Sequence, residues 1–179
     1  MDFFKKWVAR QAPGKFLAYD VTSFSTYAKD IIDSEWGYKR DGDKLPQINL
    51  GCFLSEDSGL PVFYVIYPGS ILDKSHLLYI MAYNTELGMK DVGFVLDRGF
   101  CSTVNIKFMA KEGHDFILGV PKRCKTTLAV IDLARKGIVS LRNKIADGVY
   151  AVTMKGSFYG IPSGMNVYFS KRSGETPKK

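Results

Sequence analysis

Val92-Gly93-Phe94-Val95-Leu96-Asp97-Arg98-Gly99-Phe100 is the stretch on which the fold turns. Five apolar or glycine residues in a row suit a strand buried on both faces. The carboxylate that closes the run is poorly placed for packing. It is well placed to project into a site at the strand's C-terminal edge. A second stretch, Phe16-Leu17-Ala18-Tyr19-Asp20-Val21-Thr22, also runs apolar into an aspartate. Two acidic strand ends, 77 positions apart, suggest a divalent metal site built on a sheet.

Working outward, Asp20 to Pro46 is polar and reads as a loop leaving the first strand on the active-site side. Gln47 to Leu54 alternates, with Ile48, Leu50, Cys52 and Leu54 on one face and Asn49, Gly51 and Phe53 on the other. The link Ser55-Glu56-Asp57-Ser58-Gly59 then predicts a hairpin into a strand over Leu60 to Tyr67. Pro61 stands at its start, where a missing N–H is tolerated. A helix is predicted from Asp73, its cap, to Leu87, with Gly88 as the stop. Ser102 caps a second predicted helix reaching Glu112, with Val104 and Phe108 toward the core, and Phe116 to Val120 is another short strand. The expected core is therefore an α/β domain over residues 15–121, behind a lead-in of residues 1–14. Beyond it, Thr126 to Lys136 and Val139 to Ile145 read as short basic helices, and Val149 to Lys155 and Met165 to Ser170 as a strand pair. Residues 122–170 are thus a basic helical and β-hairpin region, and residues 171–179 a disordered tail.

The chain has 179 residues, 46% of them hydrophobic and 24% charged, enough for one domain with a real core. No apolar run approaches the roughly 20 residues of a membrane span, so no membrane partner is expected. The charged start from Met1 to Arg10 does not resemble a signal peptide. Cys52, Cys101 and Cys124 form no Cys-x-x-Cys pair; they read as small hydrophobes or surface thiols in a reduced, cytoplasmic setting. The net charge of +7 is unevenly spread. Residues 1–120 hold 13 Lys/Arg against 15 Asp/Glu, whereas residues 121–179 hold 12 against 3, a net of +9. Such segregation favours a polyanionic partner, with nucleic acid first, over an evenly solvated surface. A basic face with a disordered tail is the plainer alternative.

Two neighbouring carboxylates repel, and a shared hard cation relieves the repulsion. In two-metal phosphoryl transfer the ions lie about 3.5–4 Å apart and an aspartate commonly bridges them. Asp20 and Asp97 fit that chemistry if their strands are neighbours; on spacing alone, helix caps or surface acids are the more ordinary reading.

Tyr19-Asp20-Val21-Thr22, Glu35-Trp36-Gly37-Tyr38-Lys39-Arg40-Asp41 and Leu45-Pro46-Gln47-Ile48-Asn49-Leu50 resemble insertion-sequence transposases of the DDE type, in the branch related to insertion sequence 4. Leu60-Pro61-Val62, Tyr67-Pro68-Gly69-Ser70, Asp97-Arg98-Gly99-Phe100 and Phe116-Ile117-Leu118-Gly119-Val120-Pro121 continue the resemblance in order over residues 15–125. It implies a ribonuclease-H-like mixed sheet with flanking helices, followed by the start of a β-rich insertion. It also implies Asp, Asp and Glu ligands to Mg²⁺, with Mn²⁺ as a substitute. Asp20 matches the first acid and Asp97 the second. The third belongs to a Tyr-x-x-Arg-x-x-x-Glu-x-x-x-x-x-x-Lys helix that has no counterpart here. Tyr168 is followed by Lys171, and Glu175 lies between Gly174 and Thr176 in the polar tail. The expectation is a transposase core without its third acid or a preceding DNA-end-binding domain, inactive alone. The partners implied are transposon-end and target DNA, with self-association in the active assembly beside the nucleoid. A non-catalytic DNA-binding or assembly remnant is the alternative, and a general nuclease of the same fold a third reading.

Lys39, Arg40, Lys122, Arg123 and Lys125 are the candidate phosphate contacts, each weighed against an ordinary surface charge. Arg98, beside the metal site, either neutralises phosphate or pairs with Asp97. Trp36 and Tyr38 are candidates for base stacking or for core burial. His76 and His114 lack partners at metal-ligand spacing and read as helix-surface or turn residues. No Gly-x-Ser-x-Gly elbow points to a serine hydrolase.

Overall fold

β1 runs from Phe16 to Ser25 and forms the middle of a five-stranded sheet. On one side it pairs antiparallel with β2 (Gln47–Ser55), and β2 pairs antiparallel with β3 (Pro61–Pro68). On the other side it pairs parallel with β4 (Gly93–Leu96), and β4 with β5 (Phe116–Leu118). The order β3-β2-β1-β4-β5, with β2 alone of the five running against the rest, is a ribonuclease-H-like mixed sheet. The computed structural model describes residues 2–11, 14–28, 30–37, 45–89, 91–135 and 137–172. These residues fall in two compact units, Met1–Val120 and Pro121–Lys179.

Alternation along the strands decides which face is packed. Leu17, Tyr19 and Val21 of β1, Phe53 of β2, Phe63 of β3, and Phe94 and Leu96 of β4 are buried. Tyr19 stacks on Phe53 at 4.4 Å between ring centroids, and Phe53 meets Phe94 at 6.2 Å. Helix α2 (Asp73–Glu86) buries Leu77, Ile80 and Met81, and helix α3 (Thr103–Lys111) buries Ile106 and Met109. The other face of the sheet is less covered. Ile48, Leu50, Cys52 and Leu54 are only half-buried, and Phe24, Tyr64, Ile66 and Ile117 are largely exposed. Val95 is half-buried as well, so β4 is packed fully on one face rather than two. In β2 the more polar of the two faces is the buried one, because Asn49 and Gln47 spend their amides inside the fold. Asn49 Nδ2 donates to the Pro68 and Ile71 carbonyls, and Gln47 Nε2 to the Gly69 carbonyl.

Several elements differ from the sequence reading. Residues ahead of the first strand form helix α1 (Asp2–Gln11). Its Trp7 indole donates to the Pro61 carbonyl at 2.9 Å, and Phe4 lies edge-on to Phe63. β1 does not end at Asp20, since β2 stays paired with it through Ser25. Asp73 does not cap α2; Leu72 occupies the cap position, and the Asp73 carboxylate accepts the Tyr67 hydroxyl at 2.7 Å. Gly88, at φ +83, closes that helix where a side chain would be strained. Ser102 does cap α3, accepting the Asn105 N–H at 3.0 Å. Val104, however, is 64% exposed. Asn105 points inward in its place, because its amide has buried carbonyls to bond.

In the second unit, helix α4 (Lys125–Arg135) is followed by an antiparallel sheet of order β6-β7-β8: β6 (Lys144–Ala146), β7 (Val149–Phe158) and β8 (Ile161–Arg172). The segment read as a helix over Val139 to Ile145 is a short 3-10 turn, Leu141–Asn143, running into β6. Pairing of Lys144 with Tyr150 around Gly148 outweighs its weak helical pattern. The Cys124 thiol lies at the start of α4, 2.7 Å from the Thr127 hydroxyl and 3.2 Å from the Tyr159 hydroxyl. No disulfide joins the cysteines among the described residues. Among the described residues no helix is long and apolar enough to cross a membrane.

Candidate metal centre

The last residues joined in the parallel ladder of β1 and β4 are Tyr19 and Leu96. Asp20 and Asp97 each come one step later, so the two acids leave adjacent backbones about 4.8 Å apart. By the alternation of the strands both fall on the side of Ala18 and Val95, which are themselves register partners. Both are exposed. The sequence pattern had both aspartates at strand ends, but only Asp97 is at one. Asp20 is the fifth of ten residues in β1, held on its other side against Cys52 of β2. One acid therefore sits on a continuous strand and the other on a turn.

That turn is tightly specified. Asp97 Oδ1 accepts the Gly99 N–H at 2.6 Å, which caps the 3-10 turn Arg98–Phe100. Asp20 Oδ1 likewise accepts the Val21 N–H at 2.8 Å. Each carboxylate is thus oriented through one oxygen by a backbone donor and can present the other outward. A Cβ on Gly99 would stand 2.8 Å from Asp97 Oδ1, which explains the glycine two positions after the acid. Gly119, just past β5, donates to the Leu96 carbonyl at 3.0 Å and lies against the Asp97–Arg98 peptide. Behind the turn, Asn105 Nδ2 donates to the Phe100 carbonyl at 2.9 Å and to the Lys74 carbonyl at 3.0 Å. At the same end of the sheet is a cleft of about 300 Å³ lined by Ser23, Gln47, Asn49, Asp73, Lys74 and Gly99.

Two exposed carboxylates on adjacent strands, pre-oriented by backbone donors, are hard oxygen ligands suited to a divalent cation. Among the described residues no group of three or more His, Cys, Asp or Glu side chains comes together. Glu175 lies outside the described residues.

The other candidates separate by position. Lys39 and Arg40, with Tyr38, lie outside the described residues. Arg98 is exposed next to Asp97, and no ion pair joins the two among the described residues. Trp36 is 61% exposed, which excludes core burial. His76 is not on the helix surface; it is buried on α2 and stacks on Tyr67 at 3.8 Å. Burial pushes its imidazole below the ordinary value of 6.5, against an opposing pull from Asp73. The Tyr67 phenol is driven upward by burial first and by its bond to Asp73, and so stays protonated. His114 occupies a turn edge-on to Phe94 at 5.2 Å. In the second unit, Lys122, Arg123 and Lys125 are exposed around the first turn of α4. Cations at a helix N-terminus oppose the helix dipole, so stability does not account for their position.

The family model described as Transposase DDE domain matches residues 11–155. This chain belongs to the DDE transposase domain family. Transposase domains of this family generally use divalent metal ions, in keeping with the donor set at Asp20 and Asp97. Two solved transposase structures are similar. The piggyBac transposase synaptic complex with hairpin DNA is 14% identical at a TM-score of 0.47, covering 93% of this chain and 35% of that one. The Mos1 transposase paired-end complex with the left transposon end is 10% identical at a TM-score of 0.39, covering 64% of this chain and 38% of that one. The transposase domain thus spans little more than a third of the length of either protein. No curated protein matches it in sequence.

Asn105 and Gly119 were not singled out from sequence, although both shape the turn that carries Asp97. Asn105 gave no local signal, since its two carbonyl partners belong to the Asp97 turn and to α2. Gly119 lay within a block that carries the resemblance, but its role did not show, since only the folded approach of β5 to Arg98 makes a side chain intolerable there.

Proposed function

We propose that this domain supplies the first two acids of a DDE metal centre for DNA transposition, with Asp20 and Asp97 holding Mg²⁺ or, as substitute, Mn²⁺. The observation that supports the reading most is the register in which Asp20 and Asp97 both follow the pair Tyr19↔Leu96. The reaction is hydrolysis of a phosphodiester at a transposon end, which frees a 3′-hydroxyl and leaves a 5′-phosphate, followed by attack of that hydroxyl on a target phosphodiester, which joins the two strands and releases a target 3′-hydroxyl. A divalent cation, when bound, offsets charge on the phosphorus oxygens and makes a coordinated water more acidic. The chain's own residues then have simple tasks. Asp20 is carried on a rigid strand and Asp97 on a capped turn, so the two oxygens aimed outward are pre-positioned. Exposed Arg98 is available to a phosphate beside them. Lys122, Arg123 and Lys125 present positive charge to the DNA backbone, with Lys39 and Arg40 as further phosphate contacts.

We assign the chain to the branch related to insertion sequence 4 on its blocks from Tyr19 to Pro121. With two acids rather than three among the described residues, the chain by itself binds a cation weakly and does not carry out strand transfer. Its partners are transposon-end and target DNA, and further copies of the transposase in the active assembly, in the cytoplasm beside the nucleoid.

The test is a Mn²⁺ titration followed by paramagnetic broadening, on the wild type and on Asp20→Asn and Asp97→Asn. Saturable binding that each substitution weakens supports the metal centre. Binding indifferent to both substitutions sinks it. If the chain binds DNA with unchanged affinity in both variants and takes up no Mn²⁺, the non-catalytic DNA-binding reading replaces it.

A further inference from the structure

We propose that Asn105 is a positioning residue for the metal centre, fixing the turn that carries Asp97 relative to the strand that carries Asp20. The inference rests on the reading of Asp20 and Asp97 as cation ligands. Asn105 is 1% exposed in the first turn of α3, an expensive place for an amide unless its hydrogen bonds are made. They are made to two elements other than its own helix. One N–H of the amide goes to the carbonyl of Phe100, the last residue of the turn opened by Asp97. The other goes to the carbonyl of Lys74, in the first turn of α2.

The consequences reach both acids. Phe100 N–H donates to the Asp97 carbonyl at 3.2 Å, so the anchored residue is hydrogen-bonded directly to Asp97. The Phe100 ring packs on Tyr19 at 5.2 Å, and Tyr19 immediately precedes Asp20. Asn105 therefore fixes a residue whose backbone holds one acid and whose side chain packs on Tyr19, the residue before the other acid in β1. An apolar residue could fill the same volume, but it would leave two carbonyls without these donors and the turn free to shift. Functional groups tolerate displacements of only about 0.5 Å before a site loosens. Groups that orient metal ligands typically change metal affinity about 10- to 100-fold when removed.

The test uses the full chain, Mn²⁺ as the probe, and two readouts that need no activity. Asn105→Leu keeps the size and removes both donors; Ile106→Val, the adjacent core position, destabilises α3 without touching the turn. Mn²⁺ affinity is measured by paramagnetic broadening, and amide hydrogen exchange at Gly99 and Cys101 is followed without metal. The expected result is an affinity about 10-fold weaker in Asn105→Leu, with faster exchange at both amides, and neither change in Ile106→Val. A folded Asn105→Leu with wild-type affinity and wild-type exchange overturns the proposal. Equal effects from Ile106→Val overturn it too, since they would reduce Asn105 to a general support of the helix. If the wild type takes up no Mn²⁺, the metal reading fails on that ground, and exchange alone decides whether Asn105 holds the turn. Should Asn105→Leu not fold, Asn105→Ser carries the same comparison, its hydroxyl being too short for either carbonyl.

Discussion

Replacing Gly119 by alanine would set a Cβ 2.9 Å from the Arg98 nitrogen and 3.4 Å from the Asp97 carbonyl carbon. Ordinary contacts between such atoms begin near 3.4 Å, so about 0.5 Å of overlap must be relieved. Gly119 cannot simply move off, because its N–H is bonded to the Leu96 carbonyl at the end of β4. The Arg98 peptide is the more mobile party, and Asp97 moves with it. Overpacking of this kind costs about 1–3 kcal/mol of stability. A shift near 0.5 Å is also as much as a preorganised site tolerates, so Mn²⁺ affinity should fall about 10-fold. Gly113→Ala is the matched control. Gly113 has φ +74 and open space around its would-be Cβ, so alanine there costs about 1–2 kcal/mol through backbone strain alone. Urea denaturation and Mn²⁺ titration of the two variants separate the effects: both lose stability, and only Gly119→Ala loses metal. A Gly119→Ala protein with wild-type stability and wild-type Mn²⁺ affinity would refute the close approach of β5 to the Asp97 turn.

Three further outcomes follow from other parts of the fold. Asn84 is 1% exposed on α2, and neither its side-chain N nor O is hydrogen-bonded to a described residue, so Asn84→Leu, of similar size, should stabilise the protein by about 1–2 kcal/mol in urea denaturation; a loss of stability would mean the amide is paired. His76 titrates below 6.5 in the fold, so the unfolded chain takes up the proton first, and the stability His76 contributes is whole above pH 6.5 and lost as pH falls beneath it. His76→Phe should keep the stack on Tyr67 and flatten the fall in melting temperature between pH 7 and pH 5 by comparison with the wild type; an unaltered profile would count against the burial of that imidazole. Replacing Lys122, Arg123 and Lys125 by serine should weaken DNA binding and lower the slope of log K against log salt by about one unit per charge lost. An unchanged slope in fluorescence anisotropy would remove these three from the DNA contacts.

The parts of the fold that could be read from sequence are those set by local chemistry. The apolar run into Asp97, the polar loop between β2 and β3, the Ser102 cap and the Gly88 stop each carry their own signal within a few residues. The extent of β1 does not. Asp20 ends the stretch shared with β4, but the antiparallel pairing with β2 carries the strand on to Ser25, and that partner begins 22 residues later. Val104 and Asn105 were exchanged for a related reason. Hydropathy assigns the valine to the core, whereas the folded position of two carbonyls assigns it to the asparagine. The same holds for β2, where the face with the isoleucine and two leucines is the less buried one. At the candidate site, sequence could name two acids and a row of cations. Their adjacency is a property of strand order, and the groups that hold the turn are visible only once β5, α2 and α3 are in place.

The thinly covered side of the five-stranded sheet has a practical corollary for anyone handling the purified domain. Phe24, Tyr64, Ile66 and Ile117 present greasy side chains to solvent next to the half-buried row from Ile48 to Leu54. Molecules bearing such a patch adhere to one another as concentration rises, and salt, which screens the repulsion from a net charge of +7, hastens it. Dilute samples at low ionic strength are the conditions in which metal and DNA titrations report on single molecules.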